Sequence, residues 1–129
     1  MSSTEDPTIT TICNELTSVM IGEISHDDLA CARSSLATTL ERYQDDLDAL
    51  LRGPKAFYFR RESRERLYKV ARAIAGIEGE IPPSDQHTFD LWVTSTYALC
   101  ANWVLGGCHT TRETFLCHLT ELDERLLGV

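Results

Sequence analysis

Two groups of side chains in this sequence carry chemistry that can be weighed before any fold is known. The first is Cys108-His109 with Cys117-His118, and Cys100 upstream. Thiolate and imidazole hold zinc, but a closed site needs four convergent donors, usually delivered as spaced pairs such as CxxC or HxxxH. Neighbouring residues on a helix point about 100° apart, so Cys117 and His118 do not readily share one ion. No metal site is expected, and these residues read as a helix-junction pair and ordinary thiols. Cys117 projects away from the apolar stripe through Phe115 and Leu122, toward the outside. His26 and His87 fall at helix starts, where capping or solvent contact is their usual role. The chain shows no nucleophile with an oriented base, no glycine-rich phosphate loop and no HExxH. No catalytic residue is assigned, and neither an enzyme activity nor a cofactor is expected.

The second group is basic and aromatic. Residues 55–72 hold seven of the twelve Lys and Arg residues against two acids, a charge of +5, while the other 111 residues carry five bases and eighteen acids, or −13. Phe57, Tyr58 and Phe59 stand at the head of this island. Stacking aromatics beside arginine can hold single-stranded nucleic acid, a nucleotide or an acidic protein. A solvated helix face explains part of the same charge, because Arg61 with Glu65, Glu62 with Arg66, and Glu65 with Lys69 are each four apart.

Length and composition bound the rest. A chain of 129 residues, 43% apolar, is near the commonest domain size and fills one core without disulfides or metal. One helical domain over 1–129 is expected, with 1–5 as a disordered lead-in. The net charge of −8 opposes general coating of nucleic acid. Five cysteines, odd in number and without CxxC, fit reduced thiols, and the start of the chain lacks the basic and apolar regions of a secretory signal. A cytoplasmic protein is expected. Residues 91–111 contain no Asp, Glu, Lys or Arg, yet Thr94, Ser95, Asn102 and Gly106 interrupt the stretch, which suits a buried helix better than a membrane span.

These groups must be positioned by helices. The pattern predicts an all-α fold, a compact bundle of about five helices with a long second helix and an apolar central fourth. The first runs over 7–21, with Asp6 as N-cap, Pro7 at the first position and Gly22 as stop. The second starts at a Ser25/Asp28 capping box and ends at Gly53-Pro54, with a stripe of Leu29, Ala32, Leu36, Leu40, Tyr43, Leu47 and Leu50 along about 40 Å. That stripe, like the apolar fourth helix, could also supply the seam of a homodimer. The third is expected to begin at Glu62 or Ser63. A face drawn through Leu67, Val70, Ala71 and Ile74 would otherwise place Arg60 and Ser63 in its middle, so 55–61 reads as a separate extended leader. The fourth covers 86–105, and Thr110 with Glu113 caps the fifth.

Glu41, Asp45, Asp46 and Asp48 then fall near the negative end of the long helix, where they would draw in Arg60, Arg64 or Arg72. The function expected from these readings is a small acidic, non-enzymatic interaction module of adaptor, immunity or inhibitor type. It would bind stoichiometrically to a partner protein with a basic face, without a membrane. The contact residues are Glu41, Asp45, Asp46 and Asp48, then Glu121, Asp123 and Glu124 on the fifth helix. Phe57, Tyr58, Arg60, Arg61 and Arg64 form a second, aromatic-basic patch. The alternative is nucleic-acid or nucleotide binding through 57–72.

Overall fold

In the computed structural model, which describes residues 7–129, the chain forms six α-helices and no strand among the described residues. They are α1 (Pro7–Ile24), α2 (Leu29–Arg42), α3 (Gln44–Arg52), α4 (Ala56–Ala75), α5 (Gln86–Leu105) and α6 (Arg112–Leu122). A π-helical turn, Asp123–Leu127, follows α6. The all-helical class agrees with the apolar periodicity. The proposed N-cap at Asp6 and the lead-in over 1–5 lie outside the described residues.

Helix α1 buries Ile9, Ile12, Cys13 and Met20 against α2 and α4. It continues through Gly22, and Ser25 closes it: its amide donates to the Ile21 carbonyl and its hydroxyl to the Gly22 carbonyl. The cap of α2 is instead Asp28, whose carboxylate accepts the Cys31 amide at 2.9 Å.

The long second helix breaks. Tyr43 (φ −99°, ψ 17°) closes α2 and opens α3, accepting the Leu47 amide at 2.8 Å. A straight helix of that length would outrun a domain whose radius of gyration should be about 14 Å. Bending at Tyr43 returns Leu47 to the core beside Leu36 and Leu40. The bend is tied down by Glu15 of α1, which accepts from both the Arg42 guanidinium and the Tyr43 hydroxyl. The break also reverses an electrostatic expectation. Asp45 and Asp46 sit in the first turn of α3, where the helix dipole favours anions, and need no basic neighbour drawn in from residues 60–72.

Helix α4 begins at Ala56, so no extended leader precedes it. The face drawn from its second half does not extend through the first. There the inward stripe is Phe59, Ser63, Arg66 and Val70, in steps of three and four, and Arg60 turns to solvent. Ser63 can stand on that stripe because it meets a thiol, Cys13 Sγ, at 3.7 Å rather than hydrocarbon alone. Gly76, at φ 70°, ends the helix in the left-handed conformation that glycine adopts at least cost.

Helix α5 is the hub, touching α2, α3, α4, α6 and the π turn, with Phe89, Trp92, Val93, Trp103 and Val104 buried. No helix is long and apolar enough to cross a membrane among the described residues. Thr111, not Thr110, caps α6 by accepting the Thr114 amide at 3.2 Å. The carbonyl of Thr110 instead accepts from the Trp103 indole at 3.0 Å, and that ring stacks on Phe115 with centroids 4.1 Å apart.

Candidate functional site

The aromatic-basic group of residues lies on the first turns of α4, and its members divide between inside and outside. Phe59 is buried, whereas Phe57 is 71% exposed, the most exposed large apolar side chain of the described residues. Water is an unfavourable place for a phenyl ring, and burying one fully is worth about 1.5–3 kcal/mol. The Arg60 guanidinium carbon lies 6.0 Å from the Phe57 ring centroid, and that of Arg61 lies 4.9 Å from the half-buried Tyr58 ring. Each aromatic thus carries a cation at cation–π range. Arg61 also reaches Glu62 at 3.7 Å, and Glu62 pairs with Arg66 at 3.2 Å, one of the three expected i,i+4 pairs. Arg64 does not go to the acids of α2 and α3. It donates to Thr94 of α5 at 2.8 Å and flanks the Tyr68 hydroxyl bonded to Asp90. Burial, then the bond to Asp90, pushes the Tyr68 hydroxyl pKa up. The same bond, with one from Gln86, holds Asp90 below the usual carboxylate range.

The expected acidic surface is partly consumed inside the molecule. Glu41 accepts from Arg112 at 2.7 Å, and Arg112 also bonds Ser34 and Thr38, fastening the start of α6 to α2. Asp48 pairs with Arg52, which also donates to the Leu105 carbonyl at the end of α5. Asp45, Asp46, Glu121 and Glu124 remain exposed.

Asp123 is a correction. It is 4% exposed and offers no surface; its carboxylate accepts from Arg33 at 2.8 Å and from the Trp92 indole at 2.7 Å. Asp123 follows buried Leu119 and Phe115 by four and eight residues, so ordinary helical spacing puts it on the inner face toward Arg33 and Trp92, while Glu124, one residue on, stays outside; its acidic character, not its register, suggested a surface position.

The five thiols are free: Cys13 buried, Cys100 and Cys108 intermediate, Cys31 and Cys117 exposed. Cys117, as its position on the helix suggested, lies outside, with Glu121 Oε1 at 3.9 Å. The Cys108-His109 and Cys117-His118 pairs do not converge. Among the described residues, the three-donor set within 4.8 Å is Glu23, Asp28 and Cys31, where Asp28 already serves as the cap of α2. Burial pushes the Cys100 thiol up to about 12, and the hydrogen bond to Asp28, then its charge, raises the Cys31 pKa. A raised pKa means less thiolate, the reactive form, at any pH below it. Timed alkylation at pH 8, read by mass spectrometry, should therefore label the exposed Cys31 and Cys117 in the native protein, and Cys13 and Cys100 only after unfolding. Labelling of Cys100 in the native protein would contradict this order.

Behind the buried edge of α4 lies a feature that periodicity did not reveal, a cavity of about 70 Å³ among α1 to α5. Leu40, Leu47, Phe59 and Val70 are among its walls, and Thr17, Ser63, Arg66 and Tyr97 bring polar groups to it. A void arises where several helices fail to close on one another, so it belongs to no single helix pattern. No protein-family model matches this chain, and neither a curated protein nor a solved structure matches it. Over the described residues the fold is all-α, with six helices, a cation-flanked aromatic on one outer edge and an apolar cavity behind that edge.

Proposed function

We propose that the protein is a non-enzymatic interaction module of adaptor, immunity or inhibitor type that binds a partner protein stoichiometrically through the first two turns of α4. The observation that carries this reading is Phe57, 71% exposed on a helix packed against α1 and α5, with Arg60 over its ring and Arg61 over the neighbouring Tyr58 ring. An aromatic anchor with flanking arginines is the composition of a binding hot spot. The complementary partner surface is an apolar pocket rimmed by carboxylates. This moves the emphasis from the acidic residues to the basic tip, because Glu41, Asp48 and Asp123 already have internal partners. A chain of net charge −8 with a positive tip is also oriented by an anionic surface before contact.

The test compares the native chain with Phe57→Ala/Arg60→Ala/Arg61→Ala and with Asp45→Lys/Asp46→Lys as affinity baits. Complexes are then rebuilt from purified components and weighed by light scattering. The triple substitution should weaken the complex at least about 30-fold, the equivalent of a 2 kcal/mol hot spot, while the acidic pair changes it little. The reverse ranking would sink the assignment of the contact. A nuclease-sensitive complex whose affinity falls steeply with salt would replace the protein partner with nucleic acid.

A further inference from the structure

We propose that Tyr43 is a hinge about which two copies of this chain exchange parts, forming a dimer in which α2 and α3 run on as one helix. The hinge lies outside the α4 contact proposed above and stands independently of it.

The break between α2 and α3 is one residue long, and nothing in the local sequence enforces it. Residues 41–46 contain neither glycine nor proline, and the apolar stripe from Leu29 to Leu50 crosses the joint in its usual steps of three and four. Tyr43 keeps helical bonds on both sides. Its amide donates to the Thr39 carbonyl at 3.1 Å, and its carbonyl accepts the Leu47 amide at 2.8 Å. Only the bonds between are absent, those from the amides of Gln44, Asp45 and Asp46 to the carbonyls of Leu40, Glu41 and Arg42. Bringing Tyr43 from φ −99°, ψ 17° to about φ −63°, ψ −42° restores all three and yields one helix over 29–52, about 36 Å long.

Opening this joint divides the chain into two units. In the first, α1 packs mainly on α2, and Glu15 accepts from Arg42 and Tyr43, holding the end of α2 to α1. In the second, α3 packs chiefly on α4 and α5, and α6 with the π turn completes the group. The cavity of about 70 Å³ lies on their boundary, where Met20, Leu36 and Leu40 of the first unit face Leu47, Phe59 and Val104 of the second. The units are thus least well packed where they would part. Once parted, each exposes an apolar face complementary to the other, and the straightened helix holds the two too far apart to meet again. A second open copy supplies both missing partners. Cys13 then meets Ser63, Asn14 meets Arg66, and Arg33 meets Asp123 across two chains rather than within one. Contacts away from the joint are kept, and the exchange closes as a two-fold dimer. Against the recovered hydrogen bonds stand Asp45 and Asp46, which leave the first turn of α3, where the helix dipole favours them, for a helix interior. Those two acids hold the joint bent in the monomer.

The experiment equilibrates the full chain over a concentration series up to millimolar, just below its melting temperature where opening is frequent, and weighs the products by light scattering. The native chain should give a dimer whose share grows with concentration. Asp45→Ala/Asp46→Ala should lower the dimer dissociation constant at least about tenfold, because both joints of the dimer gain. Gln44→Pro should abolish the dimer, since proline is tolerated at the first position of α3 but breaks a continuous helix. In dimers reassembled from isotope-labelled and unlabelled chains, an isotope-filtered NOE should connect Ser63 of one chain with Cys13 of the other. The Gln44, Asp45 and Asp46 amides should exchange with solvent more slowly in the dimer than in the monomer. These two measurements decide the matter should the proline variant not fold. A chain that stays monomeric in both its native and Asp45→Ala/Asp46→Ala forms would overturn the proposal. So would a dimer whose Ser63 and Cys13 meet only within one chain, or one formed equally by Gln44→Pro.

Discussion

Asp123→Ala is expected to cost about 3–5 kcal/mol of stability, because it leaves the Arg33 guanidinium in the protein interior without its counter-charge. The Arg33 and Asp123 side chains are 12% and 6% exposed, so water cannot replace the lost partner, and the Trp92 indole loses its acceptor at the same time. For a domain of this size about 4 °C of melting temperature accompanies each kcal/mol, giving a fall of roughly 12–20 °C. The paired change Arg33→Met/Asp123→Leu removes both charges and should recover at least half of that loss, leaving the unpartnered Trp92 N–H, worth about 1–3 kcal/mol, as the main deficit. Chemical denaturation of the three proteins measures all of this. A single variant within about 1 kcal/mol of the native chain would show that the pair does not anchor the C-terminal turn.

Phe59→Ala should cost about 3–5 kcal/mol, whereas Phe57→Ala, two residues away, should change stability by no more than about 0.5 kcal/mol. Phe59 is 4% exposed, sits with Tyr97 at a ring-centroid distance of 6.5 Å, and forms part of the cavity wall, so its loss enlarges an existing void. Phe57 touches solvent and Arg60. Partner binding should divide the other way, with Phe57→Ala weakening it at unchanged stability. Equal destabilisation by both changes would mean that Phe57 is covered, and would remove it from the proposed contact.

This division shows where the sequence was legible. Phe57, Tyr58 and Phe59 are consecutive aromatics of similar chemistry, and only the phase of α4 sorts them. A phase taken from Leu67, Val70, Ala71 and Ile74 is correct for the second half of α4. In the first half the inward stripe shifts to Phe59 and Ser63, where Ser63 meets Cys13 Sγ and Arg60 turns to solvent. The bend at Tyr43 was similarly hidden, since a stripe with steps of three and four continues through it without interruption. What bends the chain is contact with Glu15 from another helix and the need for Leu47 to reach a shared core.

The sequence by itself determined the helical class, the apolar character of α5, the outward position of Cys117 and the concentration of positive charge at 55–72. These follow from local periodicity and composition, which a helix obeys whatever its neighbours. Tertiary structure alone decided which charges remain available. Arg112 reaches Glu41 across 71 positions of chain and Arg33 reaches Asp123 across 90, so no local pattern could subtract them from the surface. It also decided that a cavity exists, because a void is a property of how five helices meet, and no one of them encodes it.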